Sequence, residues 1–396
     1  MNWDYFAAID KDSGEINWES VDEVTARYHW LIAEGKKKDA DGVRAEWSKK
    51  SFQIKLPEPT GEVWQMIAHP NPDLSILLPF SFFICFRFKL ATPYISKDDN
   101  PFYIIDNPIV RDRFFRLPMV RSTSWKGNLY SALWQLGHDK QNDAQMQRIF
   151  GDVRGENEEQ SGRAGRLFFY PTFFMKTSLE IINPHDRRRR VGKNPILFES
   201  VPVGAEGEFR LLYVPFDHIG YEEPKTRRQV ADDLKLIAQG VQAMFRTYGF
   251  SAKRTSGYGT ASDVVESGQL IHKIPGVTFL QGGVPQTKKP EDIFLKYLDE
   301  TGRIKPAFAG SGEGGLMSNS EYGEYKKTGA QAAGGGSISE FKKFRAWYVA
   351  YGKGWQASLQ HSATSTDYPA IPFESLSQLV ELCQNMESDT TNGGAA

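Results

Sequence analysis

The sequence predicts an α+β chain built around one ferredoxin-like unit, and three features predict it. Two long segments, 123–136 and 226–248, carry apolar residues at helical spacing. Four apolar or alternating segments flank them, at 79–92, 166–174, 206–216 and about 260–265. Along the chain they run strand, helix, strand, strand, helix, strand, the order of a ferredoxin-like unit with both helices on one sheet face. That unit is expected over 79–265, between an N-terminal extension at 1–78 and a C-terminal appendage at 266–396.

Each element has a local reason. In the first strand, PFSFFICFRFKLAT, alternation puts Phe83, Cys85 and Arg87 on one face and Phe82, Ile84, Phe86 and Phe88 on the other. The first helix takes Thr123 or Ser124 as its cap. Its stripe is Trp125, Leu129, Ala132, Leu133 and Leu136, and Gly137 ends it. The second strand, RLFFYPTFF, is expected to break near Pro171, which cannot donate to a ladder. Residues 176–204 are a long excursion holding the run Arg187–Arg190, and EGEFRLLYVPF is the third strand. Pro224 precedes the second helix, Thr226 and Gln229 suit a capping box, and Gly249 stops it. Val230, Leu234, Ile237, Val241, Met244 and Phe245 are its apolar face.

The flanking regions are also patterned. FAAI and INW read as a hairpin turning at Ser13-Gly14. A helix follows, capped by Ser20 and Glu23, with Val21, Val24, Tyr28, Leu31 and Ile32 as its stripe; Lys36–Lys38 is its solvated end. Asp10 and Asp12 faintly suggest a calcium loop, but the closing glutamate is missing. Gly310–Gly336 is expected to be a mobile loop or insertion. Phe373, Leu376, Leu379, Val380 and Cys383 predict a last helix, with Pro372 near its start.

Composition narrows the function. With 40% hydrophobic and 24% charged residues, the 396-residue chain is a folded protein rather than a disordered one. Its net charge of -1, from 48 basic and 49 acidic side chains, confines any nucleic-acid surface to a local patch. That balance favours a subunit whose other faces meet protein. Cys85 and Cys383 form no CxxC pair, which excludes a cysteine zinc site and points to a reducing, cytoplasmic setting. The apolar run from Ile76 to Cys85 is too short to span a bilayer, so no membrane partner is expected.

Four segments could carry chemistry. In Ile105-Asp106-Asn107-Pro108-Ile109-Val110-Arg111-Asp112, a loop carboxylate follows an apolar stretch and could hold a divalent metal or move a proton. In Ser122-Thr123-Ser124-Trp125-Lys126-Gly127, small residues, a cation and a glycine open a helix, where free N–H groups and the dipole favour phosphate. An ordinary capped helix would look the same. Ile149-Phe150-Gly151 is the third segment. The fourth, Lys253-Arg254-Thr255-Ser256-Gly257-Tyr258-Gly259, offers two cations, a stacking aromatic and glycines that allow close approach. It also fits a plain helix-to-strand connector.

In this order the four segments resemble the RAMP superfamily, above all the Csm/Cmr-type backbone subunits of type III CRISPR effectors, and the added flanking segments resemble an enlarged version, as in type III-D systems. IDNPIVRD resembles the loop bearing the target-cleaving aspartate, LPMVRSTSWKGNL the opening of the first helix, RIFG the motif after it, and GYG the glycine-rich loop. The match spans about residues 80–265. The resemblance implies an RRM-like palm that cradles guide RNA. It implies a thumb at 176–204, where Arg187, Arg188, Arg189, Arg190 and Lys193 would meet phosphates. Asp106 would cut target RNA with a divalent metal, Mg2+, the neighbouring 2′-hydroxyl attacking. Arg111, Arg121, Lys126, Gly127, Lys253, Arg254, Gly257, Tyr258 and Gly259 would line the RNA path. Other effector subunits would be partners. The sequence departs at Arg121-Ser122, where the family has Pro-Gly, and at Ser256, where it has a basic residue.

Other classes fit less well. His138-Asp139 lacks the further ligands of an HD phosphohydrolase. A guide-processing endoribonuclease would need a histidine, and His185 is the one near the basic run. A subunit that binds RNA and neighbours without cutting would leave Asp106 as a turn residue.

Overall fold

A computed structural model describes residues 16–50, 67, 71–98, 102–139, 143–151, 162–183, 185–186, 188, 191–192, 196–279, 289–299, 302–312, 315–327, 335–352, 355, 368 and 370–388. The expected hairpin at FAAI–INW falls largely outside them. The chain begins with helices α1 (Val21–Ala33) and α2 (Lys37–Lys50). Ser20 caps α1, accepting from Glu23 N at 3.3 Å, while the Glu23 carboxylate accepts from Asn17 N rather than closing the box on Ser20. Val24, Tyr28 and Leu31 pack with Ala40 and Trp47, but Ile32 lies outside this core.

Strand β1 (Phe82–Lys89) is central, and its side chains divide as its alternation requires. Phe82, Ile84, Phe86 and Phe88 enter the main core, and Phe83 and Cys85 join Leu74, Leu212 and Ile271 on the other face. The chain continues through β2 (Met119–Val120), α3 (Ser122–Gln135), α4 (Ala144–Phe150), β3 (Leu167–Phe169) and β4 (Thr172–Phe173). Pro171 separates β3 from β4: β3 pairs with the main sheet and β4 with β2. The excursion is a ribbon of β5 (Ser178–Ile182) on β8 (Ile196–Ser200), with β6 (His185–Asp186) and β7 (Val191–Gly192) toward its tip. Then come β9 (Glu206–Tyr213), α5 (Glu223–Ala243) and β10 (Val264–His272). The sheet order is β12-β10-β1-β9-β3, and its pairings are antiparallel. Here β12 (Ala370–Ser375) is an edge strand from the far end of the chain. A helix-bearing crossover links β1 to β3 and another links β9 to β10, as the element order predicts.

Several boundaries differ from expectation, each for a local reason. Arg121 is the N-cap of α3 and makes no side-chain cap bond; Thr123 and Ser124 lie inside the first turn. Leu136 follows the last turn and is exposed. Helix α5 starts at Glu223 with Pro224 in its first turn. Thr226 is therefore an internal residue whose hydroxyl donates to Glu222 O. The expected apolar face is buried, and a π-helical turn, Met244–Tyr248, carries the helix to Gly249.

The fourth strand starts later than 260 and runs to His272, straight through Gly268. Glycine reads as a strand stop, but here it admits a neighbour: a Cβ at 268 would lie 2.4 Å from Phe373 O of β12. The division expected at 265 thus passes through a strand. Pro372 and Phe373, expected in a helix, are in β12, where an edge position tolerates proline. Ser375 then caps α8 (Leu376–Gln384), whose Leu376, Leu379 and Cys383 enter the main core. Short strands β11 (Val277–Phe279) and β13 (Met386–Ser388) pair beside it.

Between them lies a second, aromatic core. Phe294, Tyr297, Phe308, Tyr322, Phe341, Phe344 and Trp347 pack together, with Tyr322 stacked 3.8 Å from Phe341. It contains α6 (Asn319–Lys327) and α7 (Ile338–Trp347), the latter opened by a Ser337–Glu340 capping box. The glycine-rich stretch 310–336 therefore holds a helix and buried Leu316 and Tyr322.

Candidate nucleic-acid interface

The Asp106 loop is held from below and open above. Ile104 and Ile105 are buried against α1 and α2, so the next residue, Asp106, projects outward with a side chain 77% exposed. Strand β8 fixes the rest. Asn107 O accepts from Glu199 N at 3.1 Å, and Asn107 Nδ2 donates to Leu197 O at 3.4 Å. Ile109 N donates to Glu199 Oε2 at 3.1 Å.

One partner of Asp106 escaped the sequence analysis. Arg44 of α2 points its fork at both carboxylate oxygens, at 3.4 and 3.5 Å. Its guanidinium lies over the Tyr28 ring, 4.5 Å from the centroid, and also donates to the Tyr28 hydroxyl. A signal existed: Ala40, Arg44 and Trp47 share one helix face, so an arginine stands in an apolar stripe.

Arg111 does not face outward. Its side chain is 15% exposed and forms an ion pair with Glu199, itself 4% exposed. Tyr103 adds a hydrogen bond to the same carboxylate at 3.0 Å. Burial alone would weaken the arginine's charge; Glu199 and Tyr103 reverse that and hold its pKa above the ordinary value. This pair is a strut that ties the loop to β8, so Arg111, expected to line the RNA path, makes a structural contact instead.

The cradle lies on the other side of β8. Lys253 Nζ sits 5.3 Å from the ring of Phe198, between the two residues that anchor the Asp106 loop. Tyr258 feels the Glu180 carboxylate of β5; burial first, and that charge second, raise its phenol pKa. Gly259, at φ 74, is demanded by packing, because a Cβ would lie 2.2 Å from Ser251 Cβ. Gly257 ends the short turn Arg254–Ser256 in open space. The loop is pinned by Ser251 Oγ, which accepts from Ile95 N at 2.7 Å, and by Asn128 Nδ2, which donates to Phe250 O at 3.0 Å.

The Asn128 bond brings the start of α3 to the same place. Arg121 is exposed and 3.7 Å from Asp98, whose N–H donates to Pro108 O in the Asp106 loop. Lys126 is half-buried, and Gly127 is exposed with nothing within 4 Å of a Cβ. Packing does not require glycine there, although a glycine inside a helix is unfavourable.

Asp106, Arg121, Lys126, Gly127, Lys253, Arg254, Gly257, Tyr258 and Gly259 are thus linked through β8 and α3. Arg188 is exposed at the ribbon tip, while Arg187, Arg189, Arg190 and Lys193 lie outside the described residues. The third segment is different. Ile149 and Phe150 are buried, and nearby Asp233 is fully enclosed by Arg148, Arg166 and Tyr213 at 2.7, 3.3 and 2.6 Å. That is internal support for α4, β3, β9 and α5. No group of three or more metal-ligating side chains occurs among the described residues. No described helix is long and apolar enough to cross a membrane.

Over 179 residues, 39% of this chain and 73% of the relative, the sequence is 30% identical to the CRISPR system Cms endoribonuclease Csm3 of Mycobacterium tuberculosis (strain ATCC 25618 / H37Rv). The fold aligns with a chain from the cryo-EM structure of the Type III-B Cmr-beta bound to cognate target RNA. That alignment has a TM-score of 0.42 and 16% identity, and covers 62% of this chain and 81% of that one. The RAMP superfamily model matches residues 24–262, and the chain belongs to that superfamily.

Proposed function

We propose that the chain is a guide-RNA-binding backbone subunit of a type III CRISPR effector and cuts complementary target RNA at Asp106. The observation that carries this reading is the shared strand. Leu197 and Glu199 anchor the loop of the exposed carboxylate, and Phe198 between them meets the Lys253 side chain, so both loops are built on the same short strand. The relative's endoribonuclease activity supports the cutting half.

The chemistry follows from what surrounds Asp106. Its carboxylate takes the proton of the 2′-hydroxyl, the 2′-oxygen bonds to the adjacent phosphorus, and the bond to the 5′-oxygen breaks. The 5′-oxygen takes a proton from water, leaving a cyclic phosphate and a 5′-hydroxyl. Arg44 orients the carboxylate through its paired nitrogens. Lys253, Arg254 and Lys126 hold neighbouring phosphates, and Arg121 guides the strand. The donor set suits magnesium in one way: Asp106 would be the ligand from the chain, with phosphate oxygens and water completing the shell. When bound, such an ion would neutralise charge developing on the phosphate.

The test is to purify the assembled complex, sequence the RNA that accompanies it, and offer it labelled RNA. Cutting confined to RNA complementary to that guide is expected. Cutting without regard to complementarity, or no guide at all, would overturn the proposal. Cleavage of guide precursor by the isolated chain in EDTA would favour a processing endoribonuclease instead.

A further inference from the structure

Residues 111–118 form a turn that the chemistry above leaves unused. An antiparallel bridge between Arg111 and Pro118 closes its base, and Asp112 N donates to Leu117 O at 2.9 Å. Asp112 also builds the tip: its Oδ1 accepts from Phe114 N and Phe115 N, both at 2.8 Å. Arg116, at φ 59, closes the far side, its N–H donating to Asp112 O at 3.1 Å. One arm of the Arg111 fork donates to Arg116 O at 2.8 Å while another pairs with Glu199. The turn is fixed from within and anchored to the same β8 carboxylate as the Asp106 loop.

What this turn holds out is Phe114, 89% exposed, the most exposed large hydrophobic side chain among the described residues. Arg113 and Arg116, both exposed, flank it. A free phenyl ring contributes nothing to the core, and a stiff turn that keeps it in water suits a ligand that meets it. Its neighbours select the ligand. Two guanidinium groups beside a ring are poorly matched to an apolar protein face, whose docking would strip water from them. They are well matched to a nucleotide, whose base offers a π-face and whose phosphates offer charge.

We propose that Phe114 is a stacking platform for one unpaired base of the RNA strand passing Asp106, with Arg113 and Arg116 on the adjoining phosphates. The proposal rests on the RNA-binding function above and adds a nucleotide subsite beside the cleavage point. Phe114 follows Asp106 by eight residues and precedes α3 in the chain, and its turn and the Asp106 loop share the Glu199 anchor. It would hold the nucleotide next to the scissile bond still while the 2′-oxygen attacks.

The test uses the assembled complex with Phe114→Tyr, Phe114→Leu and Phe114→Ala. The probes are complementary RNAs carrying 2-aminopurine at successive positions around the cut. One position is expected to be quenched by the native complex and by the tyrosine variant, and bright with leucine or alanine. Target affinity should fall about fivefold or more in the last two, as loss of one base–aromatic stack requires. Arg113→Ala should lower the salt slope of binding by about one. Leucine behaving as phenylalanine while alanine fails would mark an apolar protein contact and overturn the proposal. So would altered subunit stoichiometry with unchanged fluorescence. If the native complex binds no complementary RNA, the broader function fails first; if it binds and all three variants match it, this subsite alone fails.

Discussion

Arg44 Nη1 lies 3.4 Å from Asp106 Oδ2, and Nη2 lies 3.5 Å from Oδ1, so a helix from the N-terminal extension reaches the carboxylate of the candidate cutting loop. An exposed pair at these distances adds little to stability. Its effect is on orientation. Arg44→Ala should slow single-turnover cleavage about 10- to 100-fold while target affinity stays constant. Arg44→Lys should recover part of the loss, since lysine restores charge but not the fork. Full activity in the alanine variant would show that the pair is incidental.

The Arg111–Glu199 strut makes the opposite prediction. Arg111→Ala leaves a carboxylate buried without its cation and should cost about 3–5 kcal/mol of stability. Chemical denaturation checks this. The double variant Arg111→Met with Glu199→Leu should lose much less. A single variant that folds as stably as the parent would show Arg111 to be free for RNA after all.

Two glycines separate packing from binding. Gly259→Ala places a Cβ 2.2 Å from Ser251 Cβ and should disrupt the loop itself. Gly127→Ala meets nothing within 4 Å and should stabilise α3 by roughly 0.5–1 kcal/mol. If RNA backbone approaches α3 there, the same variant should bind RNA more weakly. Increased stability with undiminished affinity would remove Gly127 from the interface.

His272 gives a pH dependence. It is buried, its Nδ1 accepts from Ile274 N at 3.3 Å, and burial pushes its pKa down from 6.5 to about 4. The folded state favours the neutral ring, so this contribution is complete above the unfolded pKa. It is lost as pH falls from about 6.5 to about 4. Denaturant midpoints should drop over that window, and His272→Leu should flatten this part of the profile. A profile identical in both proteins would contradict the assignment.

The arginine run at 187–190 is tested by salt. Replacing Arg187, Arg188, Arg189 and Arg190 with alanine should weaken RNA binding and flatten its dependence on salt. An unaltered slope would mean that the run faces solvent.

Much of this was legible from residue order. The two faces of β1, the stripe of α5 and the break at Pro171 follow from period and proline chemistry that tertiary contacts reinforce. Three of the larger differences share one cause: a partner distant in sequence. The fourth strand runs past 265 through Gly268 because β12 arrives more than 100 residues later. Pro372 sits in a strand because that strand is an edge. Arg111 was expected on the RNA path, and its actual partner, Glu199, is 88 residues away. Within the site, Asp106, Arg121, Gly127, Lys253 and Gly257 are exposed and Arg254 is half-buried. Arg44 was missed because it lies on α2, outside the four segments.

The measurement that bears most directly on the account is cleavage by the assembled complex carrying Asp106→Ala. The account predicts native affinity for complementary RNA and loss of the cut made beside this subunit, read from end-labelled products. Undiminished cutting at every position would take Asp106 out of the chemistry and leave an RNA-binding subunit that does not cut.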